Sequence, residues 1–116
     1  MLCRIIIIFT LIVFFNSCSK KEIEYEPKAK VDPYILYQEA FDAFNNYDYF
    51  AAEKKFSEAE LNFAIVEFAA KSAIMASYSL YGINFYSEAL DNLERYLKKY
   101  PADKNVMYAH YLIAII

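Results

Sequence analysis

The sequence predicts an all-α fold, a short α-solenoid of stacked helical hairpins, and three observations carry that prediction. The 116 residues include one glycine and three prolines against 59% hydrophobic residues, a composition suited to helices joined by short turns. Residues 86–101 separate apolar from charged positions at helical spacing, with Tyr86, Ala89, Leu90, Leu93, Tyr96, Leu97 and Tyr100 along one face. The same pattern stands 37 residues earlier, where Tyr49, Ala52, Phe56 and Ala59 match Tyr86, Ala89, Leu93 and Tyr96.

The chain begins with a positive Arg4, an apolar run over residues 5–15, and then Asn16-Ser17-Cys18. That run is about half the length that crosses a bilayer and suits the hydrophobic region of an export signal. A small residue directly before a cysteine resembles the bacterial lipoprotein signal, although Phe15 stands where leucine is usual. The resemblance implies that residues 1–17 are a signal peptide removed before Cys18. The Cys18 thiol is then the lipidation site, and Ser19 resembles the outer-membrane class of such signals. The alternatives are a cleaved secretory signal with an incidental Cys18, or an uncleaved anchor. With Cys3 inside the leader, Cys18 has no disulfide partner.

From Ser19 to Asp32 the chain reads SKKEIEYEPKAKVD, four lysines interleaved with four acids and no apolar period. Residues 18–32 are therefore expected to be the lipidated cysteine and a solvated tether, which reaches at most about 45–50 Å.

The folded body is expected over residues 33–116, as two hairpins and the start of a third. Asp32-Pro33 supplies an N-cap and a first-turn proline. Ile35, Leu36, Ala40, Ala43 and Phe44 mark the buried face of the first helix, which ends near Asn45. The second helix, over about residues 49–63, buries Tyr49, Ala52, Phe56, Ala59 and Phe63. Its opposite face carries Glu53, Lys54, Lys55, Glu58 and Glu60, expected to be solvated. The third, over about residues 66–81, carries small residues Ala69, Ala73, Ala76 and Ser77 for close approach, with Gly82 as its expected C-cap.

The fourth helix, residues 86–100, places Asp91 four residues before Arg95 and Glu94 four before Lys98, both favourable pairings. The 37-residue offset carries Ser77, which aligns with Ala40, onto Ala114 in a fifth helix starting near Asn105. The apolar end Leu112-Ile113-Ala114-Ile115-Ile116 leads us to expect further chain after Ile116, because a solenoid covers its last stripe with a capping element.

Tyr-x-x-Ala-x-x-x-Phe-x-x-Ala in the first copy, and Tyr-x-x-Ala-x-x-x-Leu closing in Tyr-Pro in the second, resemble the tetratricopeptide repeat. In that repeat the first helix of each pair lines a concave surface. The geometry places Tyr34, Tyr37, Phe41, Phe44 and Asn45 there from copy one, Ile74, Tyr78 and Tyr81 from copy two, and Tyr108 and Tyr111 from copy three. Tyrosines offer large contact area and hydroxyl hydrogen bonds to an extended peptide. About half of these side chains are expected to be packed between repeats instead.

Other chemistry finds no footing. A formal charge of −3 gives no basic field for nucleic acid. There is one histidine, His110, no glycine-rich phosphate loop and no cysteine pair for zinc, so no catalytic residue, cofactor or metal ligand is expected.

Leu36-Tyr-x-Glu-Ala40, Asp48-Tyr-x-x-Ala52-x-x-Lys-Phe56, Ala89-Leu-x-x-Leu-x-Arg-Tyr-x-x-x-Tyr-Pro101 and Asn105-Val-x-Tyr-Ala-x-Tyr-Leu112 together resemble the BamD family of outer-membrane assembly lipoproteins, over its N-terminal half. The resemblance implies a lipid-anchored protein on the periplasmic face of the outer membrane. Its N-terminal repeats would take up unfolded outer-membrane proteins by their C-terminal targeting segments. Its C-terminal repeats, beyond the length matched here, would dock on the barrel-forming assembly subunit, alongside other assembly lipoproteins. The alternative is another tetratricopeptide envelope lipoprotein or periplasmic scaffold.

Overall fold

The computed structural model describes residues 31–116. The leader, Cys18 and the tether up to residue 30 lie outside the described residues. Among the described residues five helices follow one another: α1 (Pro33–Asn45), α2 (Tyr49–Asn62), α3 (Val66–Gly82), α4 (Tyr86–Lys99) and α5 (Val106–Ile115). Asp32 caps α1 by accepting from Tyr34 N at 2.9 Å, and Asp48 caps α2 by accepting from Ala51 N at 3.1 Å.

The 37-residue repeat is visible bond by bond in the two hairpin turns. Tyr47 N donates to Phe44 O and Asp48 N to Ala43 O. At the equivalent places Asn84 N donates to Tyr81 O and Phe85 N to Leu80 O. Each turn passes through one left-handed residue, Tyr47 and Asn84, both at φ 62°. That conformation reverses the chain within three residues, so α1 folds back on α2 and α3 on α4. It also corrects the expectation for Gly82, which is the last helical residue rather than a left-handed cap. Glycine is needed there because a Cβ would stand 2.7 Å from Tyr49 Cδ2.

Two cores result. Ala40, Ala52, Phe56 and Ala76 join α1, α2 and α3. Ala73, Ile74, Leu93, Tyr96, Ala109 and Leu112 join α3, α4 and α5. The small residues of α3 serve both, which makes α3 the spine of the body. Its buried serines are satisfied locally, Ser77 Oγ donating to Ala73 O at 2.9 Å and Ser79 Oγ to Met75 O at 2.8 Å. Asn92 Nδ2 on α4 donates to Ser77 Oγ at 2.9 Å and fixes the second hairpin.

Several positions differ from the sequence reading. Ile35 is exposed, because among the described residues α1 packs on α2 and α3 through Ala40, with Tyr37, Ala43 and Phe44 against the same core. Glu60 is buried rather than solvated, at 4% exposure. Tyr100 Oη and Lys99 Nζ donate to it at 2.8 and 3.0 Å, and both terminal nitrogens of Arg95 do so at 2.8 Å. Arg95 thus pairs with Glu60 across helices instead of with Asp91, and Glu94–Lys98 is not among the ion pairs of the described residues. In α5, Ala109 and Leu112 are buried while Ala114 is exposed. The longer connection through Pro101, where Asp103 Oδ1 accepts from Tyr96 Oη at 2.6 Å and from Asn105 N at 2.9 Å, sets the register of α5 in place of the repeat.

Candidate functional site, a tyrosine-lined face of the first helices

Helices α1 and α3 lie side by side and run in the same direction. Three lateral contacts show this, each joining residues 34 positions apart. The Tyr34 and Phe68 rings meet at 5.4 Å, Lys71 Nζ lies 5.3 Å from the Tyr37 ring centroid, and the Phe44 and Tyr78 rings meet at 5.4 Å. The hairpins repeat every 37 residues while neighbouring first helices touch at 34. The difference is about one helical turn, the axial slide of one hairpin on the next.

Helix α5 continues the same face beyond α3. Tyr108 and Tyr111, three residues apart on one side of α5, stack at 6.2 Å with their rings inclined by 26°. Burial, then the neighbouring Tyr78 and Tyr111 phenols, push the Tyr108 hydroxyl up from its ordinary pKa, which keeps it a neutral donor at physiological pH. Between α3 and α5 opens a cleft of about 280 Å³, with Phe68, Lys71, Met75, Asn105 and Tyr108 on its walls, Ile74 at its base, and Glu67 and Lys104 beside it.

The expected groove residues divide by environment. Tyr34, Phe41, Asn45, Tyr108 and Tyr111 are exposed. Tyr37, Phe44, Tyr78 and Tyr81 are half-buried, each with a face or edge on another ring: Tyr37 on Phe56 at 5.3 Å, Tyr78 on Tyr81 at 6.1 Å. Ile74 is 5% exposed and belongs to the core shared with Ala109 and Leu112. Tyr81 turns toward the hairpin end, where with Tyr49, Tyr78, Asn84 and Tyr86 it borders a second cleft.

Sequence reasoning missed Phe68, Lys71 and Met75 on this face. Their signal was the 34-residue spacing, which aligns them with Tyr34, Tyr37 and Phe41, but the hairpin period of 37 hides it. Lys71 matters chemically, because an exposed ammonium over a tyrosine ring puts one cation in the middle of a neutral aromatic surface. Such a surface offers flat stacking area, phenol donors and one counter-charge for a carboxylate. Among the described residues no group of three or more His, Cys, Asp or Glu side chains is placed to hold a metal ion.

Comparison with known proteins gives this geometry its context. A family profile described as "YfiO: Outer membrane lipoprotein" matches residues 29–116, which spans all five helices. The chain belongs to the YfiO family. Membership places it at the outer membrane as a lipid-anchored protein, and among the described residues no helix is long and apolar enough to cross a membrane. The chain is also 31% identical over 81 residues to the outer membrane protein assembly factor BamD of Caulobacter vibrioides, covering 70% of this chain and 27% of that relative. It therefore spans about a quarter of the length of the curated relative that it matches. No solved structure matches it.

Proposed function

We propose that this YfiO-family chain is a lipoprotein component of the outer-membrane β-barrel assembly machinery, and that the α1–α3–α5 face receives an extended segment of an unfolded outer-membrane protein. The observation that supports this most is the run of ring surface from Tyr34 and Phe41, past Tyr37 and Tyr78, to Tyr108 and Tyr111, with Lys71 at its centre. An extended peptide has unpaired backbone groups and alternating side chains. Phenol hydroxyls answer the first and ring faces the second. A C-terminal segment adds a carboxylate, for which Lys71 is the matching cation. Cys18, acylated after removal of residues 1–17, is the proposed anchor. The barrel-forming subunit and other assembly lipoproteins are the proposed partners. The chemistry is binding alone, with no reaction catalysed.

The test is a titration of the whole chain with a fluorescein-labelled peptide copying the C-terminal segment of an outer-membrane β-barrel protein. Saturable binding that weakens about tenfold in Tyr108→Ala or Lys71→Glu is expected, the loss typical of a central contact residue. Binding unchanged in both variants would sink the groove assignment. A second reading, a periplasmic scaffold outside barrel assembly, would be supported by recovery from envelope extracts without the barrel-forming subunit.

A further inference from the structure

The two ends of the helical body differ in kind. At the far end, the two hairpin turns expose aromatic rings, Tyr47, Phe50, Phe85 and Tyr86. At the other end the chain enters at Pro33, and exposed aliphatic side chains stand beside the exposed rings of Tyr34 and Phe68. Leu61 is 78% exposed and Val66 67%, with Val31 and Ile65 beside them. These belong together in space: the Tyr34 ring at the start of α1 meets Phe63 after α2 at 5.0 Å and Phe68 in the first turn of α3 at 5.4 Å. Val66 and Pro101 border one cleft, which brings the α4–α5 connection to the same end.

Residues 61–66, Leu-Asn-Phe-Ala-Ile-Val, carry no charge. Glu60 at one side is buried and paired with Arg95 and Lys99, while Glu67 at the other pairs with Lys104 at the surface, both more than half exposed. An uncharged aliphatic turn presents little polar cost to an apolar medium where the exposed pair beside it stays in the hydrated headgroup layer. The occupant follows from where the chain is held. Cys18 lies 13 residues before Val31, a reach of at most about 45 Å. The far end stands one helix length away, about 20 Å for the 13 residues of α1, within the full reach of the tether but farther from it on average than the end it joins. A short tether concentrates the end it joins against the surface that holds its lipid.

We propose that the α2–α3 turn, through Leu61, Ile65 and Val66, docks into the lipid surface of the membrane to which Cys18 is anchored, so that the body stands on its tethered end. The proposal rests on the lipoprotein reading of Cys18, and its test separates the two.

The chain contains no tryptophan, so one introduced tryptophan is a clean reporter. Leu61→Trp reports on the tethered end and Phe50→Trp on the far end. Each variant is studied in two forms on vesicles of phosphatidylethanolamine and phosphatidylglycerol with brominated acyl chains. The first is the whole chain purified from bacterial membranes. The second is the chain from Cys18 onward, coupled to a maleimide phospholipid through Cys18, its only thiol, and shown by far-UV circular dichroism to be helical. The expected result in the coupled form is emission quenched at least twofold and shifted to the blue for Leu61→Trp, unquenched emission for Phe50→Trp, and loss of the Leu61→Trp quenching when Val66→Asp is added. Equal quenching at the two ends, or a Leu61→Trp reporter left open to aqueous iodide, would overturn the docking; the second outcome is that of a surface kept for another protein. If the bacterial chain lacks acyl groups while the coupled chain is quenched, the lipoprotein reading falls and the docking stands.

Discussion

Glu60 on α2 and Arg95 on α4 form a two-pronged pair, 2.8 Å at each prong, that ties the second helices of adjacent hairpins together. Burial disfavours the Glu60 carboxylate. The hydrogen bonds from Arg95, Lys99 and Tyr100, with the Arg95 charge, outweigh burial and lower its pKa from 4.5 to about 2. Removing Glu60 takes away four hydrogen bonds to a buried carboxylate, while the Arg95 and Lys99 cations left behind are each over 40% exposed and stay hydrated. Glu60→Ala is therefore expected to lower stability by about 2 kcal/mol in urea titration. A loss under about 1 kcal/mol would show the pair to be energetically idle.

The same pair predicts an acid limit. A carboxylate whose folded pKa lies below its unfolded value stabilises the fold above the unfolded pKa and ceases to do so as pH falls toward the folded one. The window runs from pH 4.5 down to about 2. Wild type is expected to lose about 3 kcal/mol across it from this group, while Glu60→Gln shows a flatter pH profile. Parallel profiles for the two proteins would refute the assignment.

Gly82→Ala sets two effects against each other. Alanine in a helix gains roughly 0.5–1 kcal/mol over glycine. Against this, the new Cβ would stand 2.7 Å from Tyr49 Cδ2 and 2.8 Å from Cγ, the base of the ring. That ring is wedged between Phe44 at 5.1 Å and Tyr47 at 6.2 Å. A net loss of about 1 kcal/mol is expected, because overpacking costs about 1–3 kcal/mol. In a Tyr49→Ala background the same change should become stabilising, which a double-mutant cycle measures directly.

Tyr47 holds a left-handed backbone at φ 62°, as Asn84 does in the second hairpin. Asparagine adopts this region at lower cost than tyrosine. Tyr47→Asn is expected to raise the midpoint of thermal unfolding, by about 0.5–1 kcal/mol in stability, since the Tyr47 side chain is largely exposed. An unchanged or lower midpoint would mean that the edge contact with Tyr49 outweighs the backbone strain.

Ile74 and Tyr111 give the sharpest division between scaffold and surface. Ile74 is in the core and Tyr111 is 58% exposed. Ile74→Ala should cost about 2–4 kcal/mol of stability, and Tyr111→Ala under about 0.5 kcal/mol. Peptide affinity should follow the opposite order once both proteins are measured well below their unfolding midpoints. If Tyr111→Ala bound peptide as wild type does while Ile74→Ala did not, the peptide would lie elsewhere.

Helix boundaries were legible because caps and periodicity are local. Asp32-Pro33 and the Tyr86 stripe mark helix starts within a few residues of chain, while the two hairpin turns repeat in backbone form although their residues differ, Tyr47-Asp48 standing where Asn84-Phe85 does. Glu60 was illegible for the opposite reason. On α2 alone it falls among Glu53, Lys54, Lys55 and Glu58 and looks solvated. Its three donors lie 35 to 40 residues away on α4 and just beyond it. Lys71 on the tyrosine face was missed in the same way, because its partner Tyr37 belongs to another helix.

What the sequence determined by itself is the set of hairpins: helical period, capping residues and the 37-residue repeat are properties of neighbours along the chain. What only the tertiary structure decided is how hairpins sit on one another. The one-turn slide between α1 and α3, the burial of Glu60 under Arg95, and the division of the tyrosines between core and surface all depend on groups that meet across helices. Side-chain volume and charge act there through space, so no period within a single helix encodes them.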